Sequence, residues 1–149
     1  MYKFGEKSLE KLKTCHEDLQ KILLLAISVS NVDFGISEGY RPVERQNQLF
    51  REGKSKIDGI NKKGKHNYNP SEAADFYIYH PDIEMRRKMA YDKNHLSYVA
   101  GVIQSSAEML YNEGVIKHKI RWGGNWDSDG VIAFDQSFLD MPHVEIVEI

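Results

Sequence analysis

Residues 73–79 read AADFYIY, and Ala74, Phe76 and Ile78 alternate there with Asp75, Tyr77 and Tyr79. A period of two marks a β-strand whose two faces differ. Asp75 therefore falls on the face opposite Phe76 and Ile78. Around this strand the periods change. Leu9, Leu12, Leu19, Ile22, Leu23 and Ile27 recur at helical spacing, which predicts one amphipathic helix over residues 8–28, with the lone cysteine, Cys15, packed in it as a small hydrophobe. Val32, Phe34 and Ile36 alternate in a short strand ending at Gly39. Pro42 suits the first turn of a helix, PVERQNQLFREG, closed by Gly53.

Residues 54–69 are polar, contain Gly59 and Gly64, and show no period, which predicts a long loop of the kind that often carries function. Two helices follow over residues 82–94 and 95–114. Strands are expected at VIKHKIRW and HVEIVEI, with the turn-rich GGNWDSDG after the first of them. The expected architecture is α+β: a single domain over residues 1–149, with a small, largely antiparallel sheet and flanking helices.

At 149 residues with 41% hydrophobic side chains the chain can bury a core without covalent staples. One cysteine excludes an internal disulfide and any zinc site built on several thiolates, so a metal here must be held by histidine and carboxylate. A formal net charge of −2 disfavours nucleic acid as a partner. The lysine-rich run REGKSKIDGINKKGK, residues 51–65, reads as a solvated loop with some attraction for an anionic surface such as a bacterial envelope. The first residues lack the pattern of a signal peptide, and ILLLAI is too short to span a bilayer. A chain made in the cytoplasm, with no membrane insertion and no export by the usual route, is the expectation.

A catalytic zinc site needs three protein ligands and an open position. His66 and Asp75 can supply two of them, if the loop returns His66 over the start of the strand. His143, immediately after Pro142, can supply the third. Asp140 stands three residues before His143, where a carboxylate can act as general base beside a metal without binding it. Spacing alone leaves the alternative open: a loop histidine, a solvent-facing Asp75, an Asp140 that orders a turn and an exposed Arg41 ahead of a helix. His16, His80, His95 and His118 match no motif and read as surface or satisfied structural residues. Asn125, Asp127 and Asp129, followed by Gly130, match the start of a calcium loop, although Gln136 occupies the place of its terminal glutamate. A plain acidic turn is the competing reading. Trp122, ahead of this stretch, and Trp126, within it, are candidates for a substrate groove, with core packing equally open for Trp122.

EGYRP followed by ERQ, then a histidine before AADF, then RWGGNWD, then DMPHVE stand in an order that resembles a zinc peptidase family. That family contains vancomycin-resistance D-alanyl-D-alanine dipeptidases, D,D-carboxypeptidases and phage L-alanyl-D-glutamate endolysins. The resemblance runs from about residue 37 to the carboxyl end and implies a hedgehog/D,D-peptidase-like zinc fold. It places the zinc ligands on His66, Asp75 and His143, the catalytic acid on Asp140, and a substrate-polarising arginine on Arg41. The chain departs from the commoner pattern in a loop between His66 and Asp75 that is two residues longer, and in Gly64 where a serine is usual.

The short chain leaves little material for a lid and favours an open groove suited to a polymer. The resemblance therefore implies a zinc-dependent endolysin of about this size. Such an enzyme would cut the L-alanyl-D-glutamate bond of peptidoglycan stems in the periplasm. It would be a monomer without a separate wall-binding domain, released by a separate membrane-permeabilising protein. A D-alanyl-D-alanine dipeptidase or carboxypeptidase is the alternative. A zinc-binding module without hydrolytic activity is another, against which an intact Asp140 argues.

Overall fold

The computed structural model describes residues 1–148. In chain order it comprises α1 (Glu6–Leu12), α2 (Glu17–Val29), β1 (Phe34–Glu38), α3 (Val43–Arg51), β2 (Ala73–Ile78), α4 (Ile83–Met89), α5 (Lys93–Asn112), β3 (Lys119–Gly123) and β4 (Asp140–Val147). A 3-10 turn at Lys65–Asn67 precedes β2. The strands form one sheet in the order β1-β2-β4-β3, with every neighbouring pair antiparallel. This is the α+β architecture expected from the alternating periods.

The helix expected over residues 8–28 is two helices. The apolar spacing runs through the break, so periodicity alone could not reveal it. Hydrogen bonds to a distant segment make it: Ser71 N–H donates to the Thr14 carbonyl and His16 N–H donates to the Ser71 carbonyl, both at 2.8 Å. Cys15 is buried at this bridge, outside either helix. The His16 ring then accepts from Asp18 N–H and caps α2 (3.0 Å), with Glu17 and Asp18 in its first turn, where the positive end of the helix dipole favours them. The strand expected at residues 115–122 forms only over Lys119–Gly123. The last strand starts earlier than expected: Asp140 belongs to it, so no turn lies between Asp140 and His143.

One face of the sheet is covered by α2 and α5. Leu19, Ile22, Leu23 and Ala26 from α2 and Leu96, Val99, Ala100 and Ile103 from α5 meet Phe76, Ile78, Val144 and Ile146, all essentially buried. Each of the larger aliphatic side chains contributes about 1.5–3 kcal/mol through burial. Trp122 belongs to this core, with its indole N–H donating to the Met141 carbonyl (2.7 Å).

The opposite face carries the polar residues, and register aligns them. Asp75 pairs across β2–β4 with His143, and across β1–β2 with Glu38. The second pairing depends on a bulge between Ile36 and Glu38. Across β3–β4 the register shifts between Trp122, opposite Val144, and Gly123, opposite Asp140. A regular strand would point residues 140 and 143 to opposite faces. This irregularity turns Asp140 back toward His143.

Candidate metal centre and active-site cleft

His66, Asp75 and His143 each offer a ligand atom within 4.8 Å of the others. His66 comes from the 3-10 turn, whose carbonyl accepts from Arg41 N–H (2.8 Å), so the long loop is folded back against the end of β1. His66 Nε2 and His143 Nδ1 each lie 3.2 Å from the same oxygen of Asp75. The solvent-facing alternative for Asp75 is therefore not what the fold makes of it.

The outward nitrogens of both rings are already committed. His66 Nδ1–H donates to the Gly39 carbonyl (2.8 Å), and His143 Nε2–H donates to Glu145 (2.8 Å). Each neutral ring then turns a lone pair toward Asp75, itself an acceptor when ionised. Two lone pairs and a carboxylate converging on one point suit a divalent cation, and second partners that fix histidine tautomers are the usual support of such a site. The residues present thus fit a metal.

The same geometry acts on a proton. When a proton rather than a cation sits between His143 and Asp75, the ring is a double donor. Burial works against its charge, but hydrogen bonds to Asp75 and Glu145 outweigh it and push its pKa up to about 9. Burial likewise opposes ionisation of Asp75, yet bonds to His143 and His66 hold its carboxyl well below the usual range. Glu145 is anchored in turn by Arg121, its cross-strand partner, at 2.7 Å.

Asp140 stands at the rim. Its carboxylate is 3.8 Å from His143 Nδ1 and accepts no hydrogen bond among the described residues. Burial and the nearby Asp75 raise its pKa, against the pull of His143, His66 and Arg41. Arg41 is fixed by a two-pronged bond to Glu38 (2.7 and 2.6 Å) and by Gln46 (2.9 Å), with its guanidinium 3.6 Å from Asp75. Trp126 stacks on Phe138 and lies 5.5 Å from the His143 ring. A cleft of about 560 Å³ opens over this centre, lined by Arg41, His66, Asp140 and His143 on its floor and by Trp126 and Phe138 on one side.

A profile described as phage L-alanyl-D-glutamate peptidase matches residues 1–147. The chain belongs to that family. Two family relatives show how far the likeness runs. The L-alanyl-D-glutamate peptidase of Escherichia phage T5 is 29% identical over 148 residues, 98% of each chain. The peptidoglycan L-alanyl-D-glutamate endopeptidase CwlK of Bacillus subtilis (strain 168) is 26% identical over 129 residues, 84% of this chain and 67% of that one. The crystal structure of the Serratia marcescens L-Ala D-Glu endopeptidase ChiX shares the fold, with a TM-score of 0.73 at 22% identity, covering 97% of this chain and 90% of that one. Among the described residues no helix is long and apolar enough to cross a membrane.

Beyond the residues expected to form the site, this member of the peptidase family uses Glu38, Gln46, Glu145 and the Gly39 carbonyl to hold it. Glu145 had a sequence signal: it stands two residues after His143, hence on the same face of a strand, where a ligand histidine needs an acceptor. The other histidines are internally satisfied. His118 bonds Asp18 (2.7 Å), His80 accepts from Asp82 N–H (3.0 Å), and His95 contacts Asp92 (2.5 Å). His16, Asp18 and His118 form a second metal-capable group, but Nδ1 of His16 caps α2 and one oxygen of Asp18 is already committed to Lys117 N–H and His118. In the acidic loop the grouped oxygens belong to Asp127, Asp129 and Asp135, while Asn125 donates to the Asp129 carbonyl (2.7 Å).

Proposed function

We propose that the protein is a zinc metallopeptidase, an endolysin that hydrolyses the L-alanyl-D-glutamate bond of peptidoglycan stem peptides. The observation that carries the reading is Asp140: an unbonded carboxylate 3.8 Å from a histidine whose lone pair faces the metal centre, inside an open cleft. A metal-binding module would have no use for a base at that position. His66, Asp75 and His143 would hold the zinc, and two histidines with one carboxylate are a donor set that zinc favours. When bound, the zinc supplies Lewis acidity toward water and the scissile carbonyl.

The side chains do the rest. Asp140 accepts the proton of the attacking water, a transfer that the raised pKa burial gives it favours, and returns the proton to the leaving amine. Arg41, held by Glu38 and Gln46, aims positive charge at the oxygen that becomes negative in the transition state. Trp126 and Phe138 offer an apolar wall to the stem. Residues 1–149 are read as one catalytic domain, working as a monomer on the wall side of the inner membrane after a separate protein opens the way.

Mass spectrometry of purified Gram-negative peptidoglycan incubated with the zinc-loaded protein tests this. Released stems with a free D-glutamate amino terminus are expected. An intact wall, with D-alanyl-D-alanine split in a parallel tube, would replace the reading with the dipeptidase alternative.

A calcium role for the 125–136 loop is a secondary reading, supported by the convergence of Asp127, Asp129 and Asp135 beside Trp126. Calcium titration should shift the tryptophan emission, and Asp129→Asn should remove that response. A flat titration would leave a plain acidic turn.

A further inference from the structure

The lysine-rich run reads from the sequence as a solvated loop, but the fold makes it a wall of the cleft. Arg45 of α3 and Lys54, Lys56, Lys62 and Lys65 of the following turns all line it. With Arg41, six cationic side chains face three carboxylates, Glu38, Asp140 and Glu145, on a chain whose formal net charge is −2. Two of those carboxylates are already neutralised, Glu38 by Arg41 and Glu145 by Arg121. Lys54 and Lys65 have carboxylate partners, Glu52 and Glu72. Arg45, Lys56 and Lys62 have none among the described residues, and the Lys56 ammonium is held 5.2 Å over the Phe138 ring at the edge of the cleft.

The wall is also built, through a buried side chain. Gln46 is 2% exposed, and its amide donates to Ser55 Oγ and to the Ile57 carbonyl, each at 2.8 Å. Its oxygen accepts from Arg41 (2.9 Å). Asp58 then gathers the backbone N–H groups of Ile60, Asn61 and Lys62 within 3.1 Å. One buried amide thus fixes the lysine-bearing turns relative to the arginine beside the metal centre.

The substrate class supplies what such a wall would bind. Glutamate has two carboxyl groups and only one of them continues the peptide. The other stays within a few bonds of the scissile nitrogen, on the leaving-amine side. We propose that Arg45, Lys56 and Lys62 form a carboxylate-binding subsite for the free acid groups on that side. The protein then discriminates stems with a free glutamyl carboxyl from stems in which it is amidated. This rests on the peptidase reading above. Because the three cations are exposed, their contribution is electrostatic, appears in binding, and weakens with salt.

The test uses the zinc-loaded full chain and two soluble stem peptides, one with a free glutamyl α-carboxyl and one with the α-carboxamide. Amidation is expected to raise KM about fivefold with kcat nearly unchanged, a size suited to a few partly screened ion pairs. Added salt should raise KM for the acid and not for the amide. In Lys56→Gln/Lys62→Gln the ratio of the two KM values should fall toward one. Equal KM values in the unaltered protein would overturn the subsite and leave the peptidase reading standing. Discrimination that persists in the double variant would remove these lysines from it. Cleavage of neither peptide would overturn both.

Discussion

His66 and His143 stand with ring centroids 5.1 Å apart and present different nitrogens, Nε2 and Nδ1, to one oxygen of Asp75. Each ring is oriented from behind, one by a backbone carbonyl and one by a carboxylate. Replacing His66, Asp75 or His143 with Ala should reduce bound zinc from about one equivalent to near zero, read by elemental mass spectrometry. Glu145→Ala should weaken zinc binding about ten- to a hundredfold in a chelator competition, because the His143 ring loses its partner. Glu145→Gln should lose less, since its amide oxygen can still accept from Nε2–H.

Asp140 is close to the centre but bonded to nothing, so its removal should separate binding from chemistry. Asp140→Ala is expected to keep its zinc while kcat falls about 10²- to 10⁴-fold. Zinc content and single-turnover cleavage of the same preparation check both halves. Retained turnover would disprove the assignment of the base.

Gly39 links packing to the candidate metal centre. A Cβ there would lie 2.6 Å from the Lys11 carbonyl and 3.0 Å from Cys15 Sγ, so the chain must shift and carry the carbonyl that orients His66 with it. Gly39→Ala should lower the thermal midpoint and weaken zinc binding together. Gly101→Ala is the contrast: nothing lies within 4 Å and the site is inside α5, so a gain of about 0.5–1 kcal/mol is expected.

Asp18 ties α2 to the segment before β3, accepting from Lys117 N–H (2.9 Å) and pairing with His118 (2.7 Å). Burial opposes its charge, but these bonds win and lower its pKa. Its contribution is therefore complete above the unfolded value of about 3.9 and is lost as pH falls through the lower folded value. Asp18→Ala should cost about 1–3 kcal/mol in denaturant unfolding near neutral pH, with the gap narrowing in strong acid.

The elements were legible where one period dominates. The β2 alternation and the apolar spacing of α5 are local facts, set by which side chains must leave water. The break between α1 and α2 was not legible, because hydrogen bonds to Ser71 decide it while the apolar spacing continues through it. His66, Asp75, Asp140 and His143 stand in recognisable motifs, and the fold brings them together. The groups that support them, Glu38 through a bulge and Gln46 through a buried amide, left no local period to read.

The sequence by itself determined which residue types could do chemistry: one cysteine, a histidine–aspartate pair at one strand and an aspartate–histidine pair at another. It also set the faces of the strands, since burial of apolar side chains repeats along the chain. Only the tertiary structure decided that Asp75 faces His143, that Asp140 turns to the same side, and that the lysines line the cleft. Those outcomes depend on register, bulges and long-range hydrogen bonds. They are relations between residues far apart in the chain, and no pattern along it encodes them.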